Sequence, residues 1–268
     1  MTNPISGTTE DDLGRFGGIG RLYGLPAWER IHAASVMVIG IGGVGSWTVE
    51  ALARSGVGRL VLVDFDEVCV TNVNRQLHAL EGTIGRSKTA VMAERVLAIS
   101  PRCSVVAVER FFTPASAEEI LTMGGDVVVD AIDTVRDKAL LLHACHRAGL
   151  PVITCGGAGG KRDPTKVRVA DLAHTTHDAL LKQVRKVLRR EHGWPEGEPD
   201  RPGHAFGIPA VFAMEHSVYP QSDGTVCSEV EPGEPLRLNC DAGLGTVTHM
   251  TGTIGFVAAA EAIRRMLC

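Results

Sequence analysis

The sequence is poor in aromatic residues, has no excess of basic residues and contains no Cys-x-x-Cys pair. Aromatic side chains make up 4% of its 268 residues, which argues against a ladder of stacked rings that binds single-stranded nucleic acid. The formal net charge of −4 gives no global sign of nucleic-acid binding and leaves only a local basic patch for that role. The missing cysteine pair argues against a structural zinc ribbon.

The cysteines themselves are odd in number and widely spaced. Residues 1–12 are polar and acidic and lack the apolar segment of a signal peptide. Together these features predict a cytoplasmic protein with free thiols in a reducing compartment. The seven cysteines are Cys69, Cys103, Cys145, Cys155, Cys227, Cys240 and Cys268.

Long hydrophobic runs are scarce as well. Hydrophobic residues make up 44% and charged residues 22%, a composition typical of a soluble globular protein. The longest apolar stretch, residues 243–262, contains several glycines and polar residues such as His249 and Glu261. This polar content favours a buried core helix, and membrane association through residues 243–262 is the weaker alternative.

Strand and helix patterns alternate from residue 35 to about residue 155. Continuous apolar strands separated by helices predict a Rossmann-like α/β fold, with a mostly parallel sheet covered by helices on both faces. Beyond residue 160 the pattern changes to a C-terminal extension of strands and helices. Strands are predicted at 35–39, 59–63, 103–108, 126–131, 151–154, 166–170 and 210–218, and helices at 46–55, 88–99, 114–123, 135–148, 176–191 and 245–266.

Three segments follow from this organisation. Residues 1–34 form an N-terminal segment, residues 35–160 the Rossmann-like nucleotide-binding core, and residues 161–268 a C-terminal part that completes the sheet and forms the substrate side. Because the carboxyl ends of parallel strands meet at one edge of the sheet, ligands are expected at that edge. Residues 193–209, rich in proline, glycine and charge, are predicted to form a loop.

A glycine-rich turn follows the first predicted strand and opens a helix. Gly40, Gly42, Gly43 and Gly45 let the backbone turn tightly and approach a phosphate, and the helix N-terminus presents free N–H groups. Asp64 follows at the end of the next strand, where a carboxylate can accept hydrogen bonds from ribose hydroxyls. The pattern predicts a nucleotide site without saying which nucleotide.

The residues that follow Asp64 extend this site. A hydride-transfer cofactor carries only a pyrophosphate, which the glycine turn already serves, whereas a triphosphate needs further donors and positive charge. Arg75 can bind a phosphate with two parallel hydrogen bonds, Lys88 can act as a point charge, and Asp133 is suited to hold Mg²⁺. The other candidates for binding the nucleotide are Asp66, Asn72 and Gln76.

These residues resemble the ubiquitin-activating-enzyme-like superfamily, the ThiF, MoeB and HesA group, which includes the adenylating enzymes of molybdopterin and thiamine biosynthesis. The matching motifs are GIGGVGS at residues 40–46, DFDEVCVTNVNRQ at 64–76, Lys88 and DAID at 130–133. A closer similarity, to the branch that dehydrates a modified adenosine in tRNA, lies in RFGGIGRLYG at 15–24, GGAGG at 156–160 and YPQSDGTVC at 219–227. The resemblance covers nearly the whole chain.

The resemblance implies an ATP- and Mg²⁺-dependent homodimer. Members of the dehydratase branch adenylate the carboxylate of the threonylcarbamoyl group on adenosine 37 of tRNA, and the side chain then cyclises with loss of AMP. By position in the motifs, Asp64 would hold ribose, and Asp133 the metal. The phosphates would be held by Asn72, Arg75 and Lys88, joined by an arginine from the partner subunit's N-terminal segment, either Arg15 or Arg21.

Other features leave more than one interpretation open. The resemblance suggests a link to a cysteine desulfurase system, with Cys240 the better candidate and Cys227 the second, although the dehydration needs no thiol. A bound monovalent cation, Na⁺ or K⁺, is also left open. The basic helix at 176–191 is the local candidate for binding tRNA phosphates; its cations are Lys182, Arg185, Lys186, Arg189 and Arg190.

Three alternative functions stay open at this point. The first is an adenylating enzyme for a ubiquitin-like sulfur-carrier protein, against which the missing zinc-binding cysteine pairs count. The second is an NAD-dependent oxidoreductase, which would bind NAD and ignore ATP. The third is a non-catalytic protein that senses ATP without releasing AMP.

Overall fold

The computed structural model describes residues 10–196, 204–229 and 244–268. Strands and helices alternate through most of this chain, and a seven-stranded sheet lies at its centre. The strands of the sheet are β1 (Ser35–Ile39), β2 (Arg59–Val63), β3 (Ser104–Val108), β4 (Val127–Asp130), β5 (Val152–Cys155), β6 (Val167–Asp171) and β7 (Pro209–Ala213). A two-stranded hairpin, β8 (Tyr219–Pro220) and β9 (Val226–Cys227), lies apart from it.

The strand order is β3-β2-β1-β4-β5-β7-β6. All neighbouring pairs are parallel except β6 and β7, which are antiparallel. The chain winds outward from β1 in one direction through β2 and β3, then returns to the other side of β1 with β4. The crevice beyond the carboxyl ends of β1 and β4 is therefore a topological switch point, where ligands of such sheets bind.

Helices cover both faces of the sheet. They are α1 (Glu10–Tyr23), α2 (Leu25–Ala33), α3 (Gly43–Arg54), α4 (Lys88–Ile99), α5 (Ala117–Thr122), α6 (Val135–Ala148), α7 (Ala179–His192) and α8 (Thr248–Leu267). One buried cluster joins β1 and β2 to α3, α4 and α8, and the other joins the opposite side of the strands to α5, α6 and α7. Because both faces are buried, the central strands are apolar without alternation, which confirms the predicted fold class.

The C-terminal helix α8 packs against α3 at close range. A Cβ at Gly255 would lie 2.7 Å from the Val44 carbonyl oxygen and 2.8 Å from the Trp47 Cβ, so the two helices approach nearly to backbone contact. Met250, Ile254 and other apolar residues of α8 are fully buried. Within the described ranges, no helix has the length and apolar character that crossing a membrane requires.

Several boundaries differ from the expectations. Residues 10–33 form two helices that the sequence patterns left unassigned. Phe16 lies against Gly56 at the end of α3, and Trp28 is 1% exposed. The basic helix begins at Ala179, because Asp178 accepts a hydrogen bond from the Leu181 amide and caps it there. Strand β7 ends at Ala213, and residues 197–203 of the predicted loop lie outside the described residues.

Candidate nucleotide-binding site

A cavity of about 520 Å³ lies at the carboxyl ends of the strands. Its lining includes residues that follow β3, β2, β1, β4, β5 and β7, in the order of the sheet. At a spacing of roughly 4.8 Å between neighbouring strands, the cavity extends over about 24 Å. It is thus long enough for a nucleotide at one end and a second reactant at the other.

The glycine turn forms the centre of the cavity wall. Gly40 has φ +89°, and a Cβ there would lie 2.7 Å from the Ala131 carbonyl oxygen. A Cβ at Gly45 would lie 1.8 Å from the Gly40 carbonyl oxygen, so α3 can begin this close to β1 only with glycine at that position. Gly42 and Gly43 line the cavity itself. The predicted turn therefore exists, and its open side faces the ligand space.

Both polar groups of Ile41, inside this turn, are fixed by side chains. The Ile41 amide donates to Asp64 Oδ2 at 2.6 Å, and its carbonyl oxygen lies 2.7 Å from His78 Nε2. Burial lowers the pKa of His78 to about 4, so the ring is neutral and Nε2 carries the proton that the carbonyl accepts. Sequence reasoning missed His78, because nothing in its local pattern indicates a partner 37 residues away.

The carboxylates after β2 have separate partners. Asp64 accepts from the Ile41 amide and, through Oδ1, from the Asp66 amide at 2.8 Å. Burial raises the pKa of Asp64, opposed by the nearby Lys88 ammonium. Lys88 is 5% exposed and its Nζ lies 2.8 Å from Asp66 Oδ2. An ammonium group carries three N–H donors, so donors remain on Lys88 for a phosphate.

Arg75 and Gln76 line the same end of the cavity. Arg75 donates through Nη1 to the Thr71 carbonyl and to Asn74 Oδ1, and among the described residues Nε and Nη2 are left for phosphate oxygens. Gln76 is 7% exposed, and its Oε1 is buried without a partner among the described residues. A buried acceptor of this kind usually has a partner, so Gln76 Oε1 fits a hydrogen-bond donor on a ligand.

Asp133 lines the cavity beyond β4. The turn that carries it is fixed by a buried ion pair, in which Lys138 Nζ lies 2.9 Å from Asp130 Oδ2, with both side chains fully buried. Lys138 also donates to the Ile132 carbonyl at 2.9 Å, and Asp130 accepts from the Thr154 hydroxyl at 2.7 Å. The sequence patterns gave no sign of this pair.

The β5 end of the cavity contains a second buried ion pair. Lys161 Nζ lies 2.9 Å from Asp178 Oδ2, which also accepts from the Gly157 amide at 3.0 Å. A Cβ at Gly156 would lie 2.3 Å from the same oxygen. Asp178 also accepts from the Leu181 amide and thus joins the loop after β5 to the start of α7. Lys161, Asp178 and both glycines line the cavity.

Three of the candidate phosphate ligands do not line this cavity in the described part of the chain. Asn72 is buried and accepts the Cys69 amide through Oδ1, which caps a short 3-10 turn, and it does not line the cavity of the described chain. Arg15 and Arg21 lie on α1. Arg15 contacts Asp11 and, at 3.4 Å, the Ile99 carbonyl at the end of α4. Lys88 begins α4, so Arg15 lies about 16 Å from the cavity along that helix.

The cysteines give little support for thiol chemistry. Cys240 lies outside the described residues, and Cys227 is exposed in β9. Cys155 lines the cavity, but burial raises its pKa to about 12, so its thiol stays protonated at neutral pH.

Three of the five predicted cations of α7 form an exposed stripe. Lys182, Lys186 and Arg190 are four residues apart and exposed, so they share one face of the helix. Arg185 instead donates to the Leu172 carbonyl and Thr175, and Arg189 lies 5.5 Å from the centre of the Phe206 ring. The stripe is therefore smaller than the sequence suggested.

An exposed aromatic pair marks the β3 end of the cavity. Phe65 and Phe111 are 59% and 54% exposed, and their ring centroids are 5.0 Å apart. Phe111 lines the cavity beyond Asp64, as does Arg110. A flat apolar surface at this position, next to Asp64, suits a nucleobase.

The doubly wound sheet, its glycine turn and the cations around it define a nucleotide-binding α/β protein. The model of the ThiF family matches residues 19–267, and the chain belongs to this family. It is 46% identical to a tRNA threonylcarbamoyladenosine dehydratase of Escherichia coli, over 94% of this chain and 93% of the relative. Identity to the protein of the same name in Haemophilus influenzae is 47%, over the same shares of both chains.

A solved structure agrees with this assignment. The crystal structure of the E. coli tRNA N6-threonylcarbamoyladenosine dehydratase in complex with ATP has a TM-score of 0.84 and 41% identity, and 96% of each chain is covered. The resemblance inferred from the motifs is thus confirmed along nearly the whole chain.

Proposed function

We propose that this protein is an ATP-dependent dehydratase of threonylcarbamoyladenosine at position 37 of tRNA. The observation that best supports this proposal is the cavity at the switch point between β1 and β4, which is lined by the glycine turn, Arg75, Lys88 and Asp133. The similarity to dehydratases over nearly the full length of both chains supports this function over the sulfur-carrier and NAD-dependent alternatives.

The contacts suggest one orientation for ATP. The adenine would lie against Phe111, the ribose hydroxyls on Asp64, and the phosphates along Gly42 and Gly43 toward Arg75 and Lys88. The orphan Gln76 Oε1 would accept a hydrogen bond from the nucleotide. This placement uses the cations that a pyrophosphate cofactor would leave without a role.

Mg²⁺ fits the donors of the site. Magnesium is usually held by one or two carboxylates together with substrate phosphates, and Asp133 supplies one carboxylate at the cavity wall. No cluster of three or more His, Cys, Asp or Glu side chains that could bind a metal occurs in the described part of the chain. The ion would therefore depend on the nucleotide, and when bound it would neutralise phosphate charge.

The chemistry follows from charge and proximity. The substrate carboxylate attacks the α-phosphorus of ATP, a P–O bond forms, and pyrophosphate leaves while Arg75 and Lys88 balance its growing charge. The threonylcarbamoyl group then attacks its own activated carbonyl, AMP leaves, and one proton is released, so the net change to tRNA is the loss of one water. The attacking group is tethered, which lowers the entropic barrier.

A homodimer would complete this site. Neither Arg15 nor Arg21 lines the cavity of its own subunit in the described part of the chain, so an N-terminal arginine would reach the phosphates from a second copy. The stripe of Lys182, Lys186 and Arg190 would contact tRNA phosphates. A cytoplasmic location, the division at residues 34 and 160, a bound Na⁺ or K⁺ and a desulfurase partner stay predictions.

The decisive experiment is mass analysis of nucleosides from modified tRNA after incubation with the protein, ATP and Mg²⁺. We expect the threonylcarbamoyl nucleoside to lose one water, with stoichiometric AMP and pyrophosphate. Lys88→Ala and Asp133→Ala should each abolish pyrophosphate release without unfolding the protein. Lys166→Ala is the matched control, because this half-exposed lysine lies outside the cavity. Unchanged nucleoside, or full activity in both site variants, would refute the proposal.

A further inference from the structure

A second ring pair lies at the opposite end of the cavity from Phe111. His177 and His216 have ring centroids 4.5 Å apart at an interplanar angle of 62°, and both side chains are exposed. Their chain neighbours Asp178 and Ser217 line the cavity wall beyond β5 and β7. The two imidazoles therefore lie at the rim of the cavity, at the end beyond β5 and β7 that ATP would leave unoccupied.

Both residues of the pair are held by anchored neighbours. His177 has φ +57°, a left-handed conformation that costs energy in a side-chain-bearing residue and clusters at functional sites. The next residue, Asp178, is fixed to Gly157 and Lys161. The backbone that follows His177 is thus fixed to the cavity wall.

The segment of His216 is anchored on both sides as well. Glu215 Oε2 accepts from the amides of Arg162 and Asp163, at 3.0 and 2.9 Å. Ser217 Oγ donates to the Gly159 carbonyl at 3.0 Å. Such anchoring lowers the entropic cost of presenting a ring to a ligand.

We propose that the His177–His216 pair is the platform on which the substrate nucleobase stacks. Proteins that act on a base in RNA commonly hold it unstacked against flat side chains, including histidine. In an edge-to-face pair, one ring supports the other and leaves a face open to a base. His177 precedes α7, whose basic stripe begins at Lys182, and its neighbour Asp178 lines the cavity where the carboxylate would be adenylated.

The inference rests on the proposed function and adds the residues that recognise the base. The cavity would hold two nucleobases, the adenine of ATP at Phe111 and the modified adenine of tRNA at the histidines. The threonylcarbamoyl group would extend from the platform toward the phosphates at the centre.

The test compares KM for tRNA carrying threonylcarbamoyladenosine with the Kd for ATP. His216→Ala should raise that KM by about 5- to 150-fold, the range for loss of one base-stacking contact, while the Kd for ATP stays unchanged. His177→Asn should behave likewise, because asparagine tolerates the left-handed backbone but lacks a ring. His192→Asn, a substitution at the far end of α7, is the control.

His216→Phe separates stacking from proton transfer. Phenylalanine keeps a flat ring and cannot titrate, so KM should return near the wild-type value. The platform is refuted if His216→Ala leaves KM unchanged, if it weakens ATP binding equally, or if His216→Phe is as defective as His216→Ala. If the wild-type protein itself forms no cyclic nucleoside, the proposed function fails and the platform with it.

Discussion

Replacement of Lys138 by methionine tests how the cavity wall is held. The substitution keeps an apolar stem of similar length and removes every hydrogen bond of the ammonium group, to Asp130 and to the Ile132 carbonyl. Both charged side chains are fully buried, so Asp130 would be left as an uncompensated buried carboxylate. Breaking such a pair costs about 3–5 kcal/mol.

The assay is equilibrium urea unfolding of Lys138→Met at pH 7.5 and pH 5. Burial already raises the pKa of Asp130 although Lys138 opposes this, and without Lys138 that pKa should rise further. A carboxyl group whose pKa is raised by folding does not destabilise the protein at a pH below its unfolded-state pKa. The loss in the free energy of unfolding grows as the pH rises from the unfolded-state pKa toward the folded-state pKa. The deficit should therefore be smaller at pH 5 than at pH 7.5.

A double-mutant cycle checks the cause. Asp130→Asn combined with Lys138→Met leaves no buried charge, so its cost should be lower than the sum of the single costs by about 2–3 kcal/mol. Additive costs, or a loss below about 1 kcal/mol for Lys138→Met, would show that the pair does not stabilise the β4–α6 turn. ATP affinity should fall in Lys138→Met as well, because Asp133 lies on that turn.

Three further expectations can be checked with single substitutions. Gly45→Ala should destabilise the protein by about 1–3 kcal/mol and abolish ATP binding in calorimetry, since its Cβ would overlap the Gly40 carbonyl, whereas Gly82→Ala, with nothing within 4 Å of the added Cβ, should do neither. His78 has a pKa of about 4 in the folded protein. Its contribution to the free energy of unfolding is therefore complete above pH 6.5 and is lost as pH falls toward 4, because the unfolded state binds the proton first. The wild type should therefore lose about 2–3 kcal/mol more than His78→Gln between pH 7.5 and pH 4.5; equal losses would contradict this. Lys186→Gln should lower the salt slope of tRNA binding by about 1, and an unchanged slope would remove that side chain from the interface.

The sheet and the glycine turn could be predicted because their signals are local. Strands β1 and β2 begin and end at the expected residues, since each is a continuous apolar run bounded by polar residues or glycine. Gly40 and Gly45 were recognisable because a strand and a helix flank them, and only glycine tolerates the distances found there. Local patterns thus placed the centre of the cavity.

The parts that escaped prediction depend on contacts between distant residues. Asp178 joins Lys161, 17 positions earlier in the chain, to the first turn of α7. The sequence around each of these two residues indicates only an exposed charged side chain. Asn72, whose role as a phosphate ligand stays a prediction, has a contact that the motif did not indicate, because its Oδ1 accepts from the Cys69 amide. A side-chain partner outside the local pattern therefore decides the case of Asp178.

The fate of an activated carboxylate in this cavity depends on which nucleophile can reach it. Cys155 is the only cysteine that lines the cavity in the described part of the chain. With its pKa raised to about 12 by burial, fewer than about 1 in 10⁴ molecules carry a thiolate at pH 7.5. Transfer to Cys155 would therefore be slow, whereas a nucleophile within the substrate is already in place. This contrast favours cyclisation of the substrate over acyl transfer to Cys155.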